Sequence, residues 1–414
     1  MQELSLLERT LIAARTYAAI QYYFAHWQDV TPDFDLETEF PALMEMALNT
    51  PDRFKFGLEM MRFIARLNNS HSWYRDPWMF DAAPKQAYKL KYWHYEWVVV
   101  ASYVDVLTPG DVITHIDNRS MQDWFDEIRP TMNASSATIA VEKMNQHLLM
   151  FIPERYDVTL SDGRNVTVDH ASATPPKPVE EQVTTGKWLE DNIAFIHIPS
   201  FNYDHFEEKA LEYVKEFKDA ESIIFDLRDC RGGNSPQMLV KALMTKPYRE
   251  WIEGTPIHFG LMKYRIEQFA DFEEVDDYSR GYFEAIKTFF NHPMMVWDAP
   301  LVQPDNAIYT GKVFLLVGSS VASAAEDFVV PFKTSGRGTL IGQQTYGSTG
   351  QPYHMRFDNG IWVSIGTKRA YFPDGSRYEG VGIAPDIEIF PTADDLRAGR
   401  DPVLEKAIEM SRRD

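Results

Sequence analysis

The sequence predicts a mixed α/β protein that contains more than one domain. Its 414 residues exceed what one hydrophobic core usually organises. Apolar residues at helical spacing near the start give way to short β-rich runs, and the second half alternates strand and helix patterns. We therefore predict a helical domain over residues 1–84, a β-rich domain over 85–172 and an α/β domain over 173–414.

The predicted helical domain depends on two amphipathic runs, LIAARTYAAIQYYFAHW and FKFGLEMMRFIARL. Both place apolar residues three and four positions apart, as a helix with one buried face requires. Thr31-Pro32 and Thr50-Pro51 interrupt the pattern, because the residue before a proline is biased away from helical geometry. We expect separate helices between these breaks.

The predicted β-rich domain contains the runs YEWVVVASY, DVITHID and RYDVTLSDGRNVTV. Pro109-Gly110 and Asp162-Gly163 separate them and are typical turn pairs. The segment LTPGDVITHIDNRSMQDWFDEI resembles the core of a PDZ domain, in which a Gly-Asp pair precedes a strand, a turn and a short helix. The domain is therefore expected to be PDZ-like.

The predicted α/β domain follows a proline-rich linker, ATPPKPVEE. IAFIHIPSF, ESIIFDLR and KVFLLVG alternate with helical patterns, which favours βαβ units and a largely parallel sheet. Residues 247 to about 306 are too long for an ordinary loop, so we predict a helical insertion that caps the site. Asn359-Gly360 predicts a hairpin near the end of the domain, and DPVLEKAIEM a closing helix.

The charge of the chain limits its partners. Sixty-one acidic and 41 basic residues give a net charge of −20, which disfavours binding to nucleic acid or to anionic membranes. No run reaches the roughly 18 apolar residues that a membrane span needs. No signal peptide is visible, which favours the cytoplasm, although a leader removed before residue 1 would leave the same sequence and a periplasmic or secreted location stays open.

A strand, a turn of small residues and a helix place Ser323 near a helix N-terminus in KVFLLVGSSVASAAEDF. Free N–H groups and the helix dipole there can stabilise negative charge that develops on a substrate oxygen. The alternative is that Ser323 only caps the helix, since serine is a preferred cap residue. Glu326 has a similar alternative, because an acidic residue in a first turn stabilises the dipole without any contact with substrate.

Gly232 and Gly233 follow the strand ESIIFDLR, at the edge of the sheet where ligand sites cluster. Glycines there can turn N–H groups toward a ligand and supply part of an oxyanion hole, although a plain tight turn is the alternative. The one cysteine, Cys230, lies two residues before this glycine pair. It is a poor candidate for a nucleophile, because the oxyanion-hole role explains this segment better.

Four motifs occur in the order seen in tail-specific (C-terminal processing) serine peptidases: Asp226-Leu227-Arg228, Gly232-Gly233, Ser323-Ala324-Ala325-Glu326 and GVGIAPDIEI. The resemblance implies a ClpP/crotonase-like catalytic domain with Ser323 as nucleophile. It also implies an oxyanion hole formed by the glycine-rich loop and the N–H of Ala324.

The chain departs from this family where the bacterial branch carries a catalytic lysine, since the segment here reads Thr345-Tyr346-Gly347-Ser348-Thr349-Gly350. A serine has no useful pKa near neutrality, so another group must activate the nucleophile. Leu67-Asn68-Asn69-Ser70-His71-Ser72 resembles the Ser-His pair of the tricorn-like branch, which implies His71 as general base, and His354 is the fallback.

The same resemblance implies that Ser70 and Glu379 orient His71, whereas Asn69 is given no role because many relatives have aspartate there. We therefore expect a serine endopeptidase or carboxyl-terminal-processing peptidase that needs no metal or organic cofactor. Its activity should rise with pH through the pKa of the histidine, because the base must be neutral.

The expected partner is a peptide or protein substrate, and a homo-oligomer stays open. Lys241, Lys246 and Arg249 are candidates for gripping a substrate carboxylate, and the aromatic insertion is a candidate source of apolar pockets. The alternatives are an inactive relative that binds a hydrophobic ligand, an esterase or amidase on the same fold, and a scaffold that presents peptides through its PDZ-like segment.

Overall fold

The computed structural model describes residues 3–81, 83–174, 181–190, 192–257, 294–298, 301–304 and 307–412. Its α-helices are α1 (Leu6–Tyr23), α2 (Leu36–Asn49), α3 (Arg53–Ala65), α4 (Pro77–Asp81), α5 (Met121–Ile128), α6 (Ala137–His147), α7 (Asp204–Glu216), α8 (Gln237–Leu243), α9 (Ala324–Ser335), α10 (Ala393–Arg397) and α11 (Pro402–Ser411).

Its strands are β1 (Trp73–Arg75), β2 (Tyr88–Trp93), β3 (Glu96–Ser102), β4 (Val112–Ile116), β5 (Arg119–Ser120), β6 (Arg155–Leu160), β7 (Asn165–Asp169), β8 (Thr185–Glu190), β9 (Ile193–His197), β10 (Ser222–Asp226), β11 (Ile252–Pro256), β12 (Met294–Trp297), β13 (Lys312–Val317), β14 (Thr339–Gly342), β15 (Pro352–Arg356), β16 (Trp362–Gly366), β17 (Arg369–Tyr371) and β18 (Ile387–Glu388).

The N-terminal helices begin at capped residues and bury one face each. Ser5, Asp35 and Asp52 precede α1, α2 and α3, and each side chain accepts a hydrogen bond from a backbone N–H of the first turn. The buried side of these helices packs on β15 and β16, because Val363 and Ile365 belong to the same core. β1 pairs antiparallel with β16, so a late hairpin completes the fold of the first 80 residues.

The β-rich region is an antiparallel sheet in the order β2-β3-β4-β6-β7, with β5 paired to β4. The predicted turns lie where the sequence placed them, since Gly110 and Gly163 have φ values of 94° and 87° between the expected strands. Residues of α5 and α6, among them Ile128 and Ile139, join the core of this sheet.

The large sheet has the order β18-β14-β13-β10-β9-β8, and the pairs from β9 to β18 are parallel while β8 is antiparallel. Alternate residues of its strands enter opposite cores, as the period of two in a strand requires. Ile223 and Phe225 pack with α7, α8 and α9, whereas Ile224 packs with α11 on the other face. The predicted mixed α/β class with several sheets is therefore confirmed.

The predicted helical insertion over 247–306 is described only at its flanks, because residues 258–293 lie outside the described part of the chain. The flanks contain β11 and β12, which form an antiparallel sheet with β17. Residues 175–180 of the predicted linker are likewise outside the described part. The division at 84/85 and 172/173 stays a prediction. No helix in the described ranges is both long and apolar enough to cross a bilayer.

Candidate active site

Ser323 lies in the turn between β13 and α9 with a backbone conformation that is unusual for a residue with a side chain. Its φ is 53° and its ψ is −126°. Such a conformation costs on the order of 1–3 kcal/mol, and it persists only where the surroundings impose it. Here the Ser323 N–H donates to the Ser348 carbonyl at 2.9 Å, and the Glu326 carboxylate lies 3.2 Å from the same nitrogen. The turn leaves the seryl side chain partly accessible.

Glu326 is fully buried in the first turn of α9 and connects the Ser323 turn to the segment 345–348. Its carboxylate accepts hydrogen bonds from the Thr345 hydroxyl at 2.5 Å, from the Gly347 N–H at 2.8 Å and from the Ser348 N–H at 3.1 Å. Burial raises the pKa of Glu326 to about 8, against the hydrogen bonds that favour its charged form. Glu326 therefore fixes two loops of the site, which is more than the dipole role considered from the sequence.

His71 follows α3 and points its ring at Ser323. Its Nε2 lies 3.5 Å from Ser323 Oγ, and its Nδ1 lies 2.7 Å from Ser348 Oγ. The backbone is held as well, because the Ser364 hydroxyl donates to the His71 carbonyl at 2.9 Å. The ring keeps some surface in the cleft, but burial lowers the pKa of His71 to about 3. The imidazole is therefore neutral at neutral pH.

The hydrogen-bond chain beyond His71 specifies which ring nitrogen carries the proton. The Ser348 hydroxyl donates to Glu379 Oε1 at 2.8 Å. Because a hydroxyl has one proton to donate, Ser348 must accept from the Nδ1–H of His71. Nε2 is then the unprotonated nitrogen, and it faces Ser323. The four side chains form one continuous series from the seryl hydroxyl to a buried carboxylate.

Glu379 is buried and has no cationic partner at hydrogen-bond distance among the described residues. Its Oε1 accepts from the Ser135 hydroxyl at 2.6 Å and from Asn69 Nδ2 at 3.1 Å, in addition to Ser348. Its Oε2 has no hydrogen-bond partner among the described residues. Burial raises the pKa of Glu379, although these donors oppose the shift.

The structure corrects the position expected for Ser70. Its side chain makes no hydrogen bond to the His71 ring in the described part of the chain, and Ser348 makes that contact instead. Ser70 Oγ lies 3.0 Å from Ser135 Oγ, so Ser70 reaches Glu379 only through Ser135. Successive side chains leave the backbone in different directions, so adjacency to His71 did not place the Ser70 hydroxyl on its ring. Asn69, to which no role was given, contacts Glu379 directly.

The sequence predicts Gly232 and Gly233 as donors to an oxyanion hole, and the structure places the Gly232 backbone against Ser323. A Cβ atom there would lie 2.8 Å from both Ser323 Cβ and the Ala324 nitrogen, and its φ of 93° favours glycine. Gly233 also has a positive φ, of 137°. The N–H groups of Gly233 and Ala324 donate to no acceptor among the described residues. Cys230 is buried, and burial raises the pKa of its thiol to about 12, which makes it unsuited to nucleophilic attack.

A cleft of about 860 Å³ opens over Ser323 and His71. This volume lies within the usual range for ligand sites. The residues that line it include the apolar side chains of Met61, Trp73, Phe80 and Trp362. They also include the polar or charged side chains of Lys143, Gln146 and Arg231. These apolar side chains belong to α3, β1, α4 and β16, whereas most of the insertion that the sequence suggested as a source of apolar pockets lies outside the described part of the chain.

The remaining sequence candidates are not among the described residues that line the cleft. His354 is part of β15 and packs on Trp73 with ring centroids 5.6 Å apart. Lys241, Lys246 and Arg249 are absent from the lining of the cleft, and Lys246 donates to the Gly336 carbonyl. No group of three or more His, Cys, Asp or Glu side chains in the described ranges is placed to hold a metal ion.

A seryl hydroxyl beside a partnered neutral imidazole, at the edge of an α/β sheet, defines the class of serine-type hydrolases. Residues 192–389 match the model of peptidase family S41. Over this stretch, which is just under half of the chain, the sequence is similar to serine peptidases of this family, in its tricorn-like branch.

The curated relatives support the branch. A protein described as a tricorn-like protease C-terminal subunit, from Sulfurisphaera tokodaii, is 26% identical over 237 residues, which is 54% of this chain and 23% of that protein. The tricorn protease of Thermoplasma acidophilum is 23% identical over 234 residues, 54% of this chain and 18% of its own length. The chain thus spans less than a quarter of either relative.

The solved structures support the fold over nearly the whole chain. The crystal structure of mature CPAF has a TM-score of 0.70 at 16% identity, covering 98% of this chain and 97% of that one. The photosystem II D1 C-terminal processing protease has a TM-score of 0.51 at 14% identity, covering 92% and 93%. At these identities the likeness concerns the fold alone.

Proposed function

We propose that this chain hydrolyses peptide bonds through an acyl-enzyme, with Ser323 as nucleophile and His71 as general base. The observation that carries the proposal is the continuous series from Ser323 through His71 and Ser348 to Glu379. The Ser323–His71 distance of 3.5 Å is long for a hydrogen bond, as is common before substrate binds.

In the proposed reaction, His71 Nε2 takes the proton of the Ser323 hydroxyl while the oxygen attacks the substrate carbonyl carbon. The imidazolium then gives this proton to the leaving amine as the C–N bond breaks, which leaves an ester on Ser323. Water attacks the ester, its proton passes to His71, and the acid product leaves with the free hydroxyl restored. Ser348 and Glu379 are positioning residues, because they act on the substrate only through His71.

We assign the oxyanion hole to the N–H groups of Ala324 and Gly233. Both lack an acceptor among the described residues, and Ala324 begins α9, where the helix dipole adds positive potential. The Gly232 N–H is directed at the Cys230 sulfur, so Gly232 contributes close backbone packing against Ser323 instead. The cleft admits either an endopeptidase or a carboxyl-terminal-processing specificity.

The test is labelling with a fluorophosphonate probe, which reacts with activated serines, followed by mass mapping. Wild type should be labelled at Ser323, Ser323→Ala should not be labelled, and His71→Ala should react far more slowly. Ser161→Ala is the matched control, because Ser161 is exposed in the turn between β6 and β7. Unlabelled wild type would contradict the proposal and favour a ligand-binding relative, and labelling without cleavage of any peptide would favour the esterase or amidase alternative.

A further inference from the structure

The turn that leads into Ser323 is bound by a buried ion pair from the β-rich region. Lys91 lies on β2 and Glu142 on α6, and the Lys91 ammonium lies 2.6 Å from the Glu142 carboxylate. The ammonium also donates to the hydroxyls of Ser319 at 2.9 Å and Ser320 at 2.8 Å, which lie between β13 and Ser323. An ion pair in one region of the fold therefore contacts the turn that precedes Ser323 in another.

The donors and acceptors of this group match one another. An ammonium has three protons, and those of Lys91 go to Glu142 Oε1, Ser319 Oγ and Ser320 Oγ. Because each hydroxyl accepts from Lys91, its own proton can go to Glu142, whose carboxylate accepts from Ser319 at 2.5 Å and from Ser320 at 3.1 Å. Each of the two hydroxyls is therefore fixed by hydrogen bonds to both charges of the pair.

The environment keeps the carboxylate of this pair charged although it is buried. Burial would raise the pKa of Glu142, but the charge and the hydrogen bond of Lys91 hold that pKa below its ordinary value. Burial lowers the pKa of Lys91, and Glu142 opposes this shift. Since a buried charge is costly unless it is paired and hydrogen-bonded, the two serine hydroxyls stabilise the pair, and the pair in turn restrains the serines.

The unusual backbone conformation of Ser323 requires restraint on both sides. Its φ of 53° persists only where neighbouring contacts impose it. After Ser323, the buried carboxylate of Glu326 binds the segment 345–348. Before Ser323, the ion pair described above binds the side chains of Ser319 and Ser320. The strained residue thus lies between two buried carboxylates that fix its neighbours.

We propose that Lys91 and Glu142 are positioning residues that hold the turn before Ser323 in the conformation in which this serine reacts. Glu142 and Ser320 are among the residues that line the cleft, whereas Lys91 and Ser319 are not. The experiments therefore use Lys91 and Ser319, whose effects do not pass through contact with substrate. This inference rests on the proposed peptidase function, because it concerns the reactivity of the same serine.

Ser319→Ala removes one hydroxyl and keeps both charges of the pair. The second-order rate of fluorophosphonate labelling at Ser323, and kcat on one peptide, should fall about tenfold or more, as expected for the loss of hydrogen bonds to charged groups. KM should change little, because no contact with substrate is removed. Ser411→Ala is the matched control, because Ser411 is also buried and its hydroxyl donates to the Ala407 carbonyl at 2.8 Å within α11. Labelling of folded Ser319→Ala at the wild-type rate would overturn the proposal.

A double-mutant cycle with Lys91→Met tests whether the ion pair acts through the turn. If it does, the loss of labelling rate in Lys91→Met/Ser319→Ala should be smaller than the product of the two single losses. Independent, multiplicative losses would overturn the assignment to one network. If Lys91→Met does not fold, as removal of one partner of a buried pair can cause, Lys91→Arg takes its place, because it keeps the charge and moves the donors.

Hydrogen–deuterium exchange separates failure of this inference from failure of the peptidase function. The Ser323 N–H donates to the Ser348 carbonyl, so its exchange reports whether the turn stays closed with or without catalysis. If the fluorophosphonate does not label wild type, exchange at residues 319–325 is compared instead. Exchange about tenfold faster in Ser319→Ala than in Ser411→Ala would support the positioning of the turn. Equal exchange in wild type and Ser319→Ala would overturn it.

Discussion

Replacement of Ser348 by alanine isolates the part of the site that orients the base. The change removes the hydroxyl that lies 2.7 Å from His71 Nδ1 and donates to Glu379 at 2.8 Å. His71 loses the acceptor that fixes its tautomer, and the imidazolium formed in the transition state loses its link to the carboxylate. Nothing that touches substrate is removed.

The expected magnitude follows from the hydrogen bond that strengthens when His71 becomes charged. A hydrogen bond to a charged group contributes about 1.5–3 kcal/mol, which corresponds to a loss of about 10- to 150-fold in kcat. KM should change little, because Ser348 is enclosed behind the histidine and is fully buried. A purely structural role would instead lower thermal stability and reduce the amount of active protein, without a selective fall in kcat.

The assay measures kcat and KM on one peptide together with the second-order rate of fluorophosphonate labelling at Ser323. Thr349→Val is the matched control, because the neighbouring hydroxyl donates to Asp327 at 3.0 Å and not to the His71 ring. Melting temperatures of both variants exclude unfolding as the cause. Labelling of Ser348→Ala at the wild-type rate would refute the reasoning that Ser348 orients the base.

The remaining predictions concern pH and backbone packing. Because the pKa of His71 is lowered to about 3, kcat/KM for an uncharged peptide should be nearly constant from pH 5 to 8 and should fall only below that range. This differs from the rise in activity near neutral pH that was expected from the sequence. A steep rise in kcat/KM between pH 6 and 7 would contradict the prediction. Stability should decline as pH falls from about 6.5 toward 3, since the unfolded chain binds protons to His71 and His147 more readily than the folded chain does, and thermal melts across that range measure it. Gly232→Ala should abolish labelling of Ser323 and lower the free energy of unfolding in urea by about 1–3 kcal/mol or more, because the added Cβ would lie 2.8 Å from Ser323 Cβ. Gly163→Ala is the control, because Gly163 also has a positive φ but a Cβ there would meet no atom within 4 Å. This variant should keep full labelling.

The fold was readable from sequence wherever the signal is local. Helical spacing and prolines located α1 to α3, and β-rich runs with Gly turns located β3, β4, β6 and β7. The pairing of β1 with β16 was not predicted, since Trp73 and its partner Ser364 are far apart in the chain and no local pattern links them. The turn of the late hairpin was predicted, but its pairing with β1 was not.

The site was predicted in part because motifs identify reactive groups better than the groups that position them. Ser323 and His71 were named, and they meet in the structure. From the sequence, Ser348 was noted only as the residue in place of a lysine, because a hydroxyl cannot serve as a base. A residue that orients the histidine does not need a pKa near neutrality. The replacement at position 348 was therefore the sequence signal that could have identified Ser348 as a positioning residue. Ser135 offered no signal, since its contact with Glu379 arises from chain segments that meet only in the fold.

The serine at position 348, where a lysine was expected, is also consistent with our proposal that the base comes from the N-terminal region. A lysine at position 348 would adjoin Ser323, because the Ser348 carbonyl already accepts from the Ser323 N–H. Because position 348 carries only a hydroxyl, the proton acceptor must come from another part of the chain. The Ser348 hydroxyl then accepts a hydrogen bond from the His71 ring. His71 lies in the segment between α3 and β1, and the Ser364 hydroxyl of β16 donates a hydrogen bond to its backbone carbonyl. The buried Arg53–Asp76 ion pair, at 2.6 Å, fastens the start of α3 to the residue that follows β1. The proposed base is thus held by the packing of the N-terminal helices against the late hairpin, so we expect variants that loosen this packing to lower the reactivity of Ser323.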